Sequence, residues 1–424
     1  MPDTADRVLR NARVDGRDDA VDITIVAGRI ATIEPARSID PATALPDTAR
    51  GAPGPASLDL GGRYVLPGFV ETHVHLDKSS IVDRCHARKG TLAEAIREVA
   101  NAKAAFTTDD VHARAARTLE RAILQGTTRM RTHVEVDPGI GLRGFDAVLA
   151  LVDEYAWAID VELCVFPQEG LTDNPGTEEL IVAALRRGAR AVGAAPYVDR
   201  DPHGQIDRIF AIARDFDVQI DMHLDFTLDV AKMDVEYVCV KAREHRYEGR
   251  VAIGHASTLS ALPAARFDAV AAMLADAGVA VTVLPSTDLF LMGRGVDHDV
   301  PRGVAPVHRL VKAGVNASLA TNNVLNPFTP YGDCSLVRMA NLYANIAQLG
   351  GRDELALCHR MVTQRAAQIL GVGDHRVDVG AAADLVVLDC ESAAQAVAEI
   401  AAPLYVFKQG RMTVSRAPAV LHRP

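Results

Sequence analysis

Short alternating apolar segments open and close the chain, and between them runs a long stretch in which apolar strands alternate with amphipathic helical segments. Near the N-terminus, RVLRNARV, AVDITIVAGRIATIEP and LDLGGRYVLP are bounded by Gly, Asp and Pro turn signals and predict strands. HRVDVGAAADLVVLD and PLYVFKQGRMTVS repeat that texture near the other end. Two strand clusters flanking a long middle predict one small β-sandwich built from both termini, residues 1–65 and 372–424, around a second domain of residues 66–371. The Gly- and Pro-rich DTARGAPGPASL reads as an exposed excursion inside the N-terminal β part.

The middle region contains eight strand candidates: VLPGFVETHVH, TTRMRTHVEV, DVELCVFPQ, ARAVGAAP, VQIDMHLD, RVAIGHAS, VAVTVLPS and VNASLATNN. Amphipathic stretches separate them, such as TTDDVHARAARTLERAILQG, with Thr and Asp at its start and Gly at its stop. Eight strands alternating with helices predict a (β/α)8 TIM barrel, whose reactive side chains stand at the C-terminal ends of the strands. An open doubly wound sheet fits less well, because no Gly-rich phosphate fingerprint follows the first strand.

Composition narrows the partners. The 424 residues are 49% hydrophobic and 24% charged, with a net charge of -10, a profile of a globular chain with little affinity for polyanions. Nucleic acid is therefore not an expected partner. The first residues lack an apolar signal core, and no segment approaches the roughly 18 apolar residues of a membrane span, so a cytoplasmic protein without a membrane partner is expected. Six scattered cysteines without a CxxC pair predict neither a zinc knuckle nor a disulfide scaffold, but buried, reduced thiols. Alanine-rich helices such as LAEAIREVANAKAAF suit an interface or packing on the barrel equally, and a homo-oligomer stays open.

Polar residues gather at the predicted strand ends: His73 and His75; His133 and Glu135; Gln168 and Glu169; Tyr197; His223 and Asp225; His255; Ser286; Asn322 and Asn323. Residues i and i+2 of a strand share a face about 7 Å apart, so His73 and His75 project together into the barrel mouth. A lone HxH is compatible with two structural histidines. Joined by His223 and His255 from the fifth and sixth strands, it predicts neutral imidazoles around a catalytic zinc-type ion that lowers the pKa of bound water.

In order and at barrel spacing, GFVETHVHLDK, RTHVEV, FPQEG, DMHLD, GHAS and NNVLNPFTPYGD resemble the cytosine deaminase subgroup of the amidohydrolase superfamily. The N-isopropylammelide amidohydrolases are similar in the same places. The resemblance covers essentially the whole chain and implies one divalent metal ion, zinc or iron, since no bridging lysine ends the fourth strand in GAAPYVD. It makes His73, His75 and His223 metal ligands and His255 the partner of the attacking water. Gln168 would hydrogen-bond the amide-like edge of a small planar nitrogen-containing substrate, with Asn323 helping to orient it. Lys78 would lie near metal or substrate, or else be an ordinary solvated lysine. Phe328 falls where cytosine deaminases carry an aromatic residue. His133 and Glu135 would support the ligands by hydrogen bonds, and Glu169 would be an ion-pair partner.

Two positions depart from that pattern. The proton-shuttling Glu of the family is Phe226 here, in HLDF, and the metal-binding Asp at the end of the eighth strand is Asn322, in ATNNV. A phenyl ring carries no proton, and a neutral amide leaves about one more unit of positive charge at the site and a weaker hold on the metal. His255 is the first candidate to replace the missing base and Asp225 the second. Phe226 would sandwich a flat ring with Phe328, or merely fill the barrel mouth. The expected function is a metal-dependent hydrolase of a carbon–nitrogen bond in a nitrogen heterocycle or cyclic amide, and not ordinary cytosine deamination. The alternatives are a metal-independent or lyase-like enzyme using His255, Asp225 and Lys78, and a non-catalytic binder of heterocycles.

Overall fold

The computed structural model describes residues 6–37, 56–417 and 419–422; the Gly- and Pro-rich stretch 47–55 lies outside them. Strands β1 (Arg7–Ala12), β2 (Val21–Val26), β3 (Arg29–Pro35) and β4 (Ala56–Asp59) form a four-stranded sheet in the order β3-β2-β1-β4. Alternation does what a half-buried sheet requires: Val21, Ile23 and Ile25 of β2 point inward, and the residues between them are half-buried. Next comes β5 (Tyr64–Pro67), the first part of the segment expected to be the first barrel strand.

The barrel consists of β6 (Phe69–Val74), β7 (Thr127–Glu135), β8 (Asp160–Phe166), β9 (Ala191–Val192), β10 (Gln219–Leu224), β11 (Val251–His255), β12 (Val279–Val283) and β13 (Ala317–Leu319), all in parallel and in sequential order. Each expected strand is present. Closure is made by backbone: Asn322 N–H donates to His73 O at 2.8 Å and His75 N–H donates to Asn322 O at 2.9 Å, bridging the end of β13 to β6. The amphipathic stretch TTDDVHARAARTLERAILQG forms the helix Thr108–Leu124, where Thr107 caps the amide of Asp110 and Val111, Ala115, Leu119 and Ala122 face the core. Such helices cover the barrel on the outside, as parallel strands require.

After the barrel, β14 (Leu385–Leu388), β15 (Pro403–Lys408) and β16 (Arg411–Ser415) make a sheet in the order β16-β15-β14-β5. Strand β5 thus leaves the barrel segment and pairs antiparallel with β14, from Pro67 opposite Leu385 to Tyr64 opposite Leu388. The two terminal sheets share one apolar cluster that includes Leu9, Ile23, Val65, Leu385 and Phe407. All six cysteines are free, five of them buried and Cys85 half-buried. No helix among the described residues is long and apolar enough to cross a membrane.

Gly68 joins β5 to β6. Its N–H donates to Asp384 O, and His375 Nε2 lies 2.6 Å from its carbonyl oxygen. A Cβ at this position would stand 2.0 Å from Thr128 Oγ1 and 2.7 Å from Thr128 Cβ. Gly68→Ala is therefore expected to cost about 1–3 kcal/mol through overpacking, read as a lowered urea midpoint. Gly350→Ala, where a Cβ meets nothing within 4 Å, should stay within about 0.5 kcal/mol of the parent.

Candidate active site

Period-2 geometry at the end of β6, continued one residue beyond it, puts His73 and His75 on one face, and β10 brings His223 to meet them. His223 Nε2 lies 3.1 Å from His73 Nε2 and 3.1 Å from His75 Nε2. One ring nitrogen carries either a proton or a lone pair, so this atom can satisfy only one of those contacts as a hydrogen bond. A cation accepting three lone pairs satisfies all of them, and the donor set is that of a catalytic zinc-type centre. Burial, above all, pushes His73, His75 and His223 well below the ordinary histidine range, which keeps the rings neutral as ligation demands. Gly254 in β11 makes room, for a Cβ there would press on the His73 ring at 3.1 Å.

Asn322 sits beside the trio with φ 63, a left-handed conformation that Asn tolerates better than most residues. Its side-chain oxygen and nitrogen are both buried and without a partner. His255 (φ 70) and Asp225 (φ 50) share this unusual backbone, so three of the strand-end candidates occupy sparsely populated conformations, a concentration typical of functional sites.

His255 ends β11, its ring centroid 5.7 Å from that of His223. Its Nδ1 lies 2.6 Å from Asp288 Oδ1, and Asp288 Oδ2 also accepts the Leu284 N–H. Both groups are buried, and desolvation pushes His255 well below and Asp288 well above its ordinary value, disfavouring charge on either. Phe226 stacks on His255 with centroids 3.6 Å apart and planes 20° apart. Asp225 turns elsewhere: its two oxygens accept the N–H groups of Asp234 and Val235 at the start of the helix Val235–Glu244. Burial pushes this carboxyl up to about 7.

Lys78 is 2% exposed, not a solvated lysine. Its ammonium donates to Glu135 at 2.7 Å and to Gln168 Oε1 at 3.2 Å and lies 4.5 Å from the Phe328 ring centroid. Phe328 thus packs on Lys78. With Oε1 engaged by Lys78, the buried Nε2 of Gln168 presents its N–H donors on the side of the Tyr197 hydroxyl. Asn323 is buried, and its Oδ1 accepts from Asn326 Nδ2 at 2.7 Å, which ties the turn after β13 together. Glu135 contacts two lysines and no histidine: Lys103 reaches it at 3.0 Å and also holds Asp137 and Glu169. Burial alone would raise Glu135, but Lys103 and Lys78 outweigh it and hold the carboxyl down at about 2. His133 stacks on His73 at 3.7 Å, with Nε2 3.5 Å from Asp221 Oδ1.

Asp221, Asp288 and Lys103 were not singled out from sequence. Asp221 stands two residues before His223 on the same barrel-facing side of β10, and its carboxylate lies 3.8 Å from His73 Nδ1 and accepts from Arg131 at 3.0 Å. That i, i+2 spacing was a usable signal; Asp288, in the first turn of the helix after β12, was readable only as a capping residue.

Residues 57–147 and 144–414 match the amidohydrolase family. N-isopropylammelide isopropyl amidohydrolase of Pseudomonas sp. (strain ADP) is 28% identical over 422 residues, covering 96% of this chain and 97% of that protein. Among solved structures, 5-methylcytosine deaminase from Klebsiella pneumoniae superposes with a TM-score of 0.91 at 27% identity, over 98% of this chain and 100% of that one. N-isopropylammelide isopropylaminohydrolase from Burkholderia multivorans gives 0.82 at 29% identity, over 96% and 98%. With the barrel, its three converging imidazoles and a family match running through nearly all of it, this chain belongs to the amidohydrolase family.

Proposed function

We propose that the protein hydrolyses a carbon–nitrogen bond of a small planar nitrogen heterocycle or cyclic amide, with one divalent metal ion, and that it is not an ordinary cytosine deaminase. The convergence of three neutral imidazole nitrogens beside an unpartnered Asn322 carries this reading. His73, His75 and His223 would hold the ion, zinc or iron, through Nε2. Such an ion supplies Lewis acidity toward the bond under attack and toward water.

The chain's own residues handle protons and orientation. With Nδ1 given to Asp288, His255 exchanges protons at Nε2. The pair carries one proton or two: in the first form it takes a proton from the attacking water, and in the second it returns that proton to the departing nitrogen. This function falls to His255 rather than Asp225, whose oxygens are already engaged by backbone amides. Lys78 fixes the orientation of the Gln168 amide, so Nε2 faces the substrate as a donor to a ring nitrogen or carbonyl oxygen. Asn322 offers a donor and an acceptor but no charge and no base. Phe226 gives the ring an apolar face, which a carboxylate at that position would not. The likeness to ammelide and cytosine hydrolases supports the substrate class, and Phe226 and Asn322, which depart from the cytosine deaminase pattern, support a substrate other than cytosine.

Protein purified without added metal should contain close to one zinc or iron per chain by elemental analysis, and the His73→Ala, His75→Ala double variant almost none; a parent chain that neither contains nor takes up metal would remove this mechanism. Products formed in 18O-labelled water should carry one label at the attacked carbon, and an unlabelled product would exclude hydrolysis. Once a substrate is in hand, His255→Ala should lower kcat about 100- to 10,000-fold with metal content retained. Asp288→Asn should lower it at least about tenfold with KM little changed.

A further inference from the structure

We infer that a dianionic phosphate group binds in a small cavity on the rim of the barrel mouth, held by Arg88, Lys89 and Arg294. The cavity has a volume of about 230 Å³ and is built from the segments that follow β6, β12 and β13. Those three cations line it together with the apolar Phe290, Pro327 and Pro330, and no carboxylate does. None of the imidazole trio, His255, Gln168 or Asn322 reaches it, so the inference does not rest on the hydrolase reading.

A chain with a net charge of -10 gathers three cations here without a counter-charge. The ion pairs of the neighbouring stretch are made by Arg84 with Asp110 and by Arg97 with Glu94 and Glu98. Arg88, Lys89 and Arg294 make none among the described residues. The nearby Glu94 turns its Oε2 to the backbone N–H groups of Lys89 and Gly90, not to a cationic side chain of the cavity. Like charges in one small space repel each other, and an anion between them relieves that repulsion. Arg294 is held in place by the protein itself. Its Nε donates to Phe290 O at 2.7 Å, its guanidinium lies 4.4 Å from the Phe290 ring centroid, and that ring meets Tyr331 edge-on at 5.8 Å. Gly90 (φ 62) leaves the room that the guanidinium occupies: a Cβ there would stand 3.0 Å from both Cζ and one Nη of Arg294. With Nε given to a carbonyl, the two Nη groups remain as a planar fork, the geometry that grips phosphate through paired N–H donors. A fork ordered in advance binds at a lower entropic cost.

Calorimetric titration at physiological ionic strength with inorganic phosphate, phenyl phosphate and phenol tests this. The parent chain should bind phenyl phosphate saturably at a single site, and phenol at least about tenfold more weakly. The His73→Ala, His75→Ala double variant, or chelator-stripped parent should that variant not fold, should bind it with the parent affinity, because the cavity lies apart from the imidazole trio. Arg294→Lys, which keeps the charge and loses the fork, should weaken binding at least about tenfold. Gly90→Ala keeps all three cations but displaces the guanidinium and should also weaken it, whereas charge acting at a distance would leave both variants at the parent affinity. Tighter binding of phenyl phosphate than of inorganic phosphate would uphold the inference with a phosphate ester as the ligand; equal or tighter binding of inorganic phosphate would uphold it with the free ion. No saturable binding to the parent, equal binding of phenol, loss of binding with the imidazole trio or its metal, or an affinity unmoved by Arg294→Lys would overturn it.

Discussion

Two backbone hydrogen bonds hold the rest in place. The amide and carbonyl of Asn322 reach across to His73 and His75, so the contact that closes the eighth strand onto the first also fixes the spacing of two imidazoles and the placement of a neutral amide beside them. Few residues adopt φ near 63 at this point without strain, and Asn is one of them. Barrel closure and site geometry are in this respect one constraint. Thr321, one residue earlier, reinforces it by donating through N–H and hydroxyl to buried Glu71 of β6, whose carboxyl burial pushes up to about 7.

Around that seam the barrel mouth is built on charge rather than on apolar packing. Lys78 and Lys103 share Glu135, and Asp137 and Glu169 complete the group. Buried charges of this kind stabilise little in total, yet each becomes costly if its partner is lost. What they provide is orientation: Lys78 selects which end of the Gln168 amide remains free, and Phe328 packs on the same ammonium. Arg131 and Asp221 do the equivalent work below, where Asp221 stands near both His73 and His133.

Hydrophobic periodicity was enough to find all eight barrel strands, because parallel strands buried on both faces read as compact apolar runs between amphipathic helices. It counted VLP twice, in LDLGGRYVLP with the terminal strands and in VLPGFVETHVH with the barrel; the pairing of β5 with the distant β14 settles it in the terminal sheet, divided from β6 at Gly68. The histidines were legible because imidazoles stand out among Val, Ile and Ala. Asp288 was not, since its pairing with His255 spans 33 positions and depends on how the helix after β12 is set against β11. Lys78 was ambiguous for a related reason: a lysine's burial is decided by partners such as Glu135, 57 positions away.

The pairing of β5 with β14 also bears on how the chain reaches its fold. His375 and Gly68 meet across 307 positions of sequence, and Arg29 and Gly380 across 351. During synthesis, β5 leaves the ribosome long before the strand that completes its sheet, and its edge stays unpaired while the barrel is assembled. Contacts so distant in sequence form late and slowly. The terminal sheets therefore behave as a clasp fastened last, and a nascent chain halted before β14 would present an open apolar strand edge to other chains and to chaperones.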